Sequence, residues 1–107
     1  MATSSAQPTR IDPVHVDSKH YKVESENDNV RILRIKYGPE EKSVMHGHPA
    51  SVAVFLGDAS FRFTFPDGKV EDGTVSAGQV MYFDALEHLP ENTGNQPLEV
   101  ILIELKK

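Results

Sequence analysis

From Val14 onward, apolar residues fall in short alternating runs broken by turn residues, the signature of an all-β sandwich or barrel. No segment carries a convincing helical stripe. The pattern predicts strands over roughly 20–25, 29–37, 43–48, 51–57, 59–65, 69–75, 79–84, 88–92 and 97–105. Pro66-Asp67-Gly68-Lys69 is the clearest hairpin signal, because Asp-Gly tolerates the positive φ angles of a tight reversal between twisted strands. Ahead of it, Phe61, Phe63 and Phe65 share one face, which reads as core, while Arg62 and Thr64 share the other. The stretch Leu98 to Leu105 is apolar on both faces, which suits a strand lying between two layers or at a subunit contact.

A chain of 107 residues is the usual size of one domain. Residues 1–12 are small and polar, include Pro8 and lack periodicity, so they are expected to form a flexible N-terminal segment. Residues 13–107 are then one barrel domain. Hydrophobic residues make up 38% of the chain, enough for one core with little to spare, so a homodimer that buries more apolar surface is expected. It would form through Leu98–Leu105 or through the N-terminal strand near Tyr21–Val23. The net charge of -5, without a Lys/Arg cluster, excludes the positive footprint that nucleic acid requires. There is no apolar stretch long enough to cross a bilayer, and Met1–Arg10 lacks the apolar segment of a secretory signal, so the expected location is cytoplasmic and no membrane partner is expected. With no cysteine, any metal must be held by His, Asp or Glu.

His46 and His48 form a His-x-His pair in a predicted strand, and a side-chain period of two turns both rings to one face. Two adjacent imidazoles can share a metal ion, at about 2.0–2.1 Å each if it is zinc. A third histidine, His88, follows Gly78–Phe83 and a short turn, Asp84 to Glu87.

Glu41 to Pro49 (E-K-S-V-M-H-G-H-P) and Gly78 to Asn92 (G-x5-D-A-L-E-H-x3-N) resemble the two conserved motifs of the cupin superfamily. The resemblance covers roughly residues 28–105 and implies an antiparallel double-stranded β-helix, the jelly-roll barrel, with a divalent metal inside. Position by position, His46, His48 and His88 match the three histidine ligands, and Gly78 and Asn92 match flanks of the second motif. The chain also departs from the pattern. The glutamate expected after the second histidine falls at Val52 or Ala53, and parity along the strand favours Val52 as its equivalent. The glycine that opens the first motif falls at Glu40, and the proline and glycine of the second motif's turn are Asp84 and Leu86. Either the ion is held by three histidines alone, or the barrel is a degenerate one in which Val52 packs the interior.

His15 and His20 lie outside both motifs and read as surface or subunit-contact residues. Glu87 and Glu91 read as solvated charges, with an acid just outside the ligand set as the alternative, and parity turns Glu91 away from His88. Asn92 shares His88's parity and suits either the cavity wall or the turn after the strand. Arg62, Arg31 and Arg34 read as surface residues, with a contact to an anionic substrate as the alternative for one of them.

What the resemblance implies is metal-assisted chemistry on a small anionic or chelating molecule. A three-histidine iron centre, as in cupin-type dioxygenases of diketones and thiols, leaves adjacent positions for substrate and O2. Zinc, nickel or manganese would favour redox-neutral chemistry. The competing expectation is a non-catalytic module that binds a metal or small ligand, because no acid or base stands at the expected ligand positions.

Overall fold

The computed structural model describes residues 11–106, which form one helical turn and nine strands. The turn is α1 (Pro13–Val16). The strands are β1 (Tyr21–Glu26), β2 (Val30–Tyr37), β3 (His46–His48), β4 (Ser51–Phe55), β5 (Ala59–Thr64), β6 (Val70–Val75), β7 (Val80–Phe83), β8 (Leu86–Asn92) and β9 (Leu98–Leu105). They build two sheets, in the orders β1-β2-β9-β4-β7 and β3-β8-β5-β6, with every pairing antiparallel. This is an antiparallel jelly-roll barrel.

Each expected strand is present, with ends shifted by up to three residues. β3 is only three residues long, and β8 starts at Leu86, so His88 lies inside a strand instead of opening one. The helical turn was not legible because four residues are too few to show a stripe. It forms where Asp12 caps the first free N–H, its carboxylate accepting from Val14 N at 3.0 Å, with Pro13 preset for the first helical position. Most of the segment expected to lie loose, residues 1–10, falls outside the described residues. Its last two residues are tied to the barrel: Ile11 O accepts from Gly47 N at 2.8 Å, and Asp12 pairs with Arg31.

Alternation along the strands sorts the two faces. Leu33, Ile35 and Tyr37 of β2, Ala53 and Phe55 of β4, and Leu98, Val100 and Leu102 of β9 point inward and form the core. On the outer face of the five-stranded sheet, Ile32, Ile103, Val52 and Tyr82 fall in one cross-strand row. The 66–69 hairpin closes as expected, with Gly68 at φ 89 and Phe65 N donating to Lys69 O at 2.8 Å. Glu40, at the glycine position of the first motif, still has φ 62, a left-handed conformation that a side chain makes costly by about 1 kcal/mol.

Among the described residues no helix is long and apolar enough to cross a membrane.

Candidate metal centre

β3 and β8 pair so that His46 lies directly opposite His88, while His48 is one pleat further along on the same face. Gly47 between them faces the other way. The three rings meet edge to face, with centroids 4.9, 5.0 and 5.3 Å apart. All three are buried, and one ring nitrogen of each lies within 4.8 Å of the others. The three residues singled out in the sequence are therefore brought together, by two strands separated by about forty residues of chain.

The hydrogen bonds around the rings decide which nitrogen is free. His46 Nδ1 donates to Val44 O at 2.8 Å, and His48 Nδ1 donates to the Glu104 carboxylate at 2.7 Å. A neutral imidazole that donates at Nδ1 keeps its lone pair at Nε2. His46 Nε2 and both nitrogens of His88 are buried with no hydrogen-bond partner. Burial, then the neighbouring imidazole of His48, pushes His46 down to about 4. Burial and the same two-histidine neighbourhood push His88 down to about 2. Both rings are thus neutral near neutral pH, the form that binds a metal. Each neutral ring offers one lone pair, one nitrogen of each ring can converge on the others, and no protein group partners His46 Nε2 or His88, an arrangement that fits a cation.

Glu104 was not singled out in the sequence, and it orients His48. It occupies the inward face of β9 after Leu98, Val100 and Leu102, at 3% exposure. Its carboxylate also accepts from Arg31 Nε at 2.8 Å, and Arg31 is held at its other end by Asp12 at 3.0 Å. Burial would raise the Glu104 carboxyl, but the bonds from His48 and Arg31 outweigh it and keep the group below its usual value. A carboxylate on the far nitrogen of a ligating histidine fixes its tautomer and raises its basicity. One reading is corrected here: Arg31 is no free surface residue, while the 98–105 strand, apolar at three of four positions on each face, carries Glu104 inward. The signal was present, since Glu104 continues the parity of three core residues.

The position of the expected glutamate is also corrected. Val52 does not share a face with His46 and His48. The strand breaks at Pro49-Ala50, where Ser51 Oγ donates to Pro49 O at 2.7 Å, and the chain crosses from one sheet to the other. The break resets the parity, so Ser51, Ala53 and Phe55 point inward and Val52 joins the outer face. No carboxylate stands at the inward positions.

His20 is not a surface residue. It is 7% exposed and stacks on Tyr37, with ring centroids 4.3 Å apart. Its Nδ1 lies 2.8 Å from Asp17 and its Nε2 3.0 Å from Glu41. His15 is exposed, as expected. Asn92 serves in both ways foreseen for it: it lines the cavity, and its amide donates to Gly38 O and Gln96 O at 3.1 and 2.8 Å.

A cavity of about 80 Å³ opens beside His48 and His88, walled mainly by Phe55, Phe61, Phe63, Phe83 and Leu98. Phe63 touches the His88 ring, with centroids 4.4 Å apart. Phe61 can lie flat there because residue 73 is glycine; a Cβ at that position would come within 2.5 Å of the ring.

No family model matches the sequence, and no curated protein matches it. Solved structures are similar in fold. A cupin domain from Bordetella pertussis Tohama I has a TM-score of 0.75 at 19% identity, covering 81% of this chain and 92% of that one. A cupin superfamily protein from Desulfitobacterium hafniense has a TM-score of 0.60 at 15% identity, covering 81% and 76%. An oxalate decarboxylase of Bacillus subtilis reaches 0.57 at 17% identity, with 74% of this chain spanning only 22% of that longer one. The chain has the cupin fold, with three buried histidines gathered inside it.

Proposed function

We propose that His46, His48 and His88 hold one divalent metal ion, and that the protein is a metal-dependent enzyme of the dioxygenase type acting on a small anionic or chelating molecule. The observation that carries this reading is the set of unpartnered ring nitrogens, His46 Nε2 and both of His88, buried where no water-exposed surface satisfies them. A bound ion supplies a Lewis acid with open positions and, if it is iron, a site for O2 chemistry. The chain's own part is to orient the ligands through Val44 O and Glu104, and to exclude water with the phenylalanine wall. Iron is the expected metal on the ligand count, with zinc, nickel or manganese as the redox-neutral cases.

A specific observation favours a second reading, a binding module without turnover. Glu104, the carboxylate bonded to the ring cluster, is committed to His48 and Arg31, so it is not free to act as an acid or base. The test is elemental analysis of protein purified without chelators, beside a His46→Ala/His88→Ala variant. Near-stoichiometric iron that the variant loses, followed by O2 uptake with diketones or thiols, supports the enzyme. Retained metal with no uptake supports the binder, and equal metal in both proteins overturns the site.

The proposal includes a homodimer in the cytoplasm, packed through the outer row of Ile32, Ile103, Val52 and Tyr82, whose last member is 59% exposed. β9 is hydrogen-bonded on both edges, so it would contribute through side chains and not by strand pairing. Sedimentation of wild type against Tyr82→Lys tests it: a dimer that the variant weakens is expected, and a wild-type monomer overturns it.

A further inference from the structure

We propose that the site takes a chelating molecule with an apolar body, and that the cavity rejects a carboxylate carried beyond the metal-binding head. The inference rests on the metal reading above and narrows its substrate from anionic or chelating molecules to this class.

The cavity offers an anion no counter-charge of its own. Its lining contains neither lysine nor arginine. Arg31, the cation on the inward parity of β2, is outside the lining and is already gripped by Asp12 and Glu104. The two charged residues of the lining, Asp84 and Glu91, are both acidic. A carboxylate placed against this wall would lose its hydration and meet nothing to replace it.

The polar side chains in the lining are largely committed to protein partners, with one O–H of the tyrosine pair left over. The Tyr21 and Tyr37 hydroxyls lie 2.7 Å apart and bond to each other. Ser51 Oγ donates to Pro49 O, and the Asn92 amide is committed to Gly38, Gln96 and Gly94. His48 Nδ1 is taken by Glu104. What remains is ring nitrogen, one tyrosine O–H and two acidic groups in a lining that is otherwise mostly hydrocarbon. Phenyl rings run from His88 into the cavity in steps of 4.4 Å to Phe63 and 4.7 Å on to Phe61. The chelating head belongs at the imidazoles and an apolar body along the rings, because each portion then meets matching chemistry.

The test holds the metal-binding head constant and varies only the tail. Full-length protein loaded with zinc is titrated calorimetrically with acetohydroxamate, isocaproyl hydroxamate and succinic monohydroxamate, the last two being near-isosteric and differing in the charge of the tail. Chelator-treated protein is the control. Isocaproyl hydroxamate is expected to bind at least about tenfold more tightly than acetohydroxamate, from burial of its added carbons. Succinic monohydroxamate is expected to bind no more tightly than acetohydroxamate. If the carboxylate tail binds as well as the branched one, or if the branched tail brings no gain, the inference is overturned while the metal site stands. If none of the three binds better to zinc-loaded than to chelator-treated protein, the metal reading fails and takes the inference with it.

Discussion

His20 and His88 are buried to nearly the same depth, at 7% and 6% exposure, yet their surroundings are opposite. His20 has a carboxylate at each nitrogen, Asp17 at 2.8 Å and Glu41 at 3.0 Å, and an aromatic ring flat against its face. His88 has no partner at either nitrogen and two other imidazoles within 5.3 Å. The first is a finished structural element that ties the 17–20 turn to the 38–41 loop. The second leaves hydrogen-bonding capacity that no protein group fills, which is costly unless something else fills it. Burial alone therefore does not mark a site in this barrel; the unfilled valence does.

The comparison can be broken in three ways. Acid should have the largest effect. His46 is depressed from 6.5 to about 4 and His88 from 6.5 to about 2, so the unfolded chain takes up protons first as the pH falls. The stability these neutral rings confer is present above pH 6.5 and is lost below it, at about 1.4 kcal/mol per pH unit for each ring until its folded value is reached. Melting curves of metal-free protein from pH 7.5 down should show a steep decline. A flat profile would mean that the rings are not held neutral.

Next in size is the Glu104 variant pair. Glu104→Ala strips a buried guanidinium and a buried imidazole of their shared partner and should cost about 3 kcal/mol in urea unfolding. Glu104→Gln should fold but bind zinc about 10–100-fold more weakly, because the ring it orients loses its carboxylate. Unchanged affinity would remove Glu104 from the site.

The two histidines themselves should respond with opposite sign. His20→Leu leaves Asp17, whose side chain is 9% exposed, without its imidazole and should lose about 2 kcal/mol while zinc affinity stays the same. His88→Leu replaces an unpartnered ring with a side chain that needs no partner, and should stabilise the metal-free protein by about 1 kcal/mol while abolishing metal retention. Chemical denaturation with a zinc titration of each variant checks both. If His88→Leu is as destabilising as His20→Leu, the contrast between the clusters is wrong.

Much of this was legible in the chain because it depends on local period. Strand existence follows from alternation, the shared face of His46 and His48 follows from the two-residue repeat, and the 66–69 reversal follows from Asp-Gly. Parity also predicted Asn92's position beside the cavity. Parity failed where the chain changes sheets: Pro49-Ala50 interrupts the repeat, so Val52 faces out and Ser51 and Ala53 face in. It was passed over at Glu104, where a charge sits on the face of Leu98, Val100 and Leu102 and is the one position of β9 whose burial needs a partner.

By itself, then, the order of residues determined the strands, the turns and the three imidazoles that could share an ion, since each of these follows from contacts a few residues apart or from a motif written in one stretch. The tertiary structure decided what the imidazoles meet. Whether a buried ring is satisfied depends on groups brought from far along the chain, Glu41 joining the neighbouring Asp17 at His20, Glu104 beside His48 and nothing beside His88, and no periodicity encodes a pairing that only folding creates.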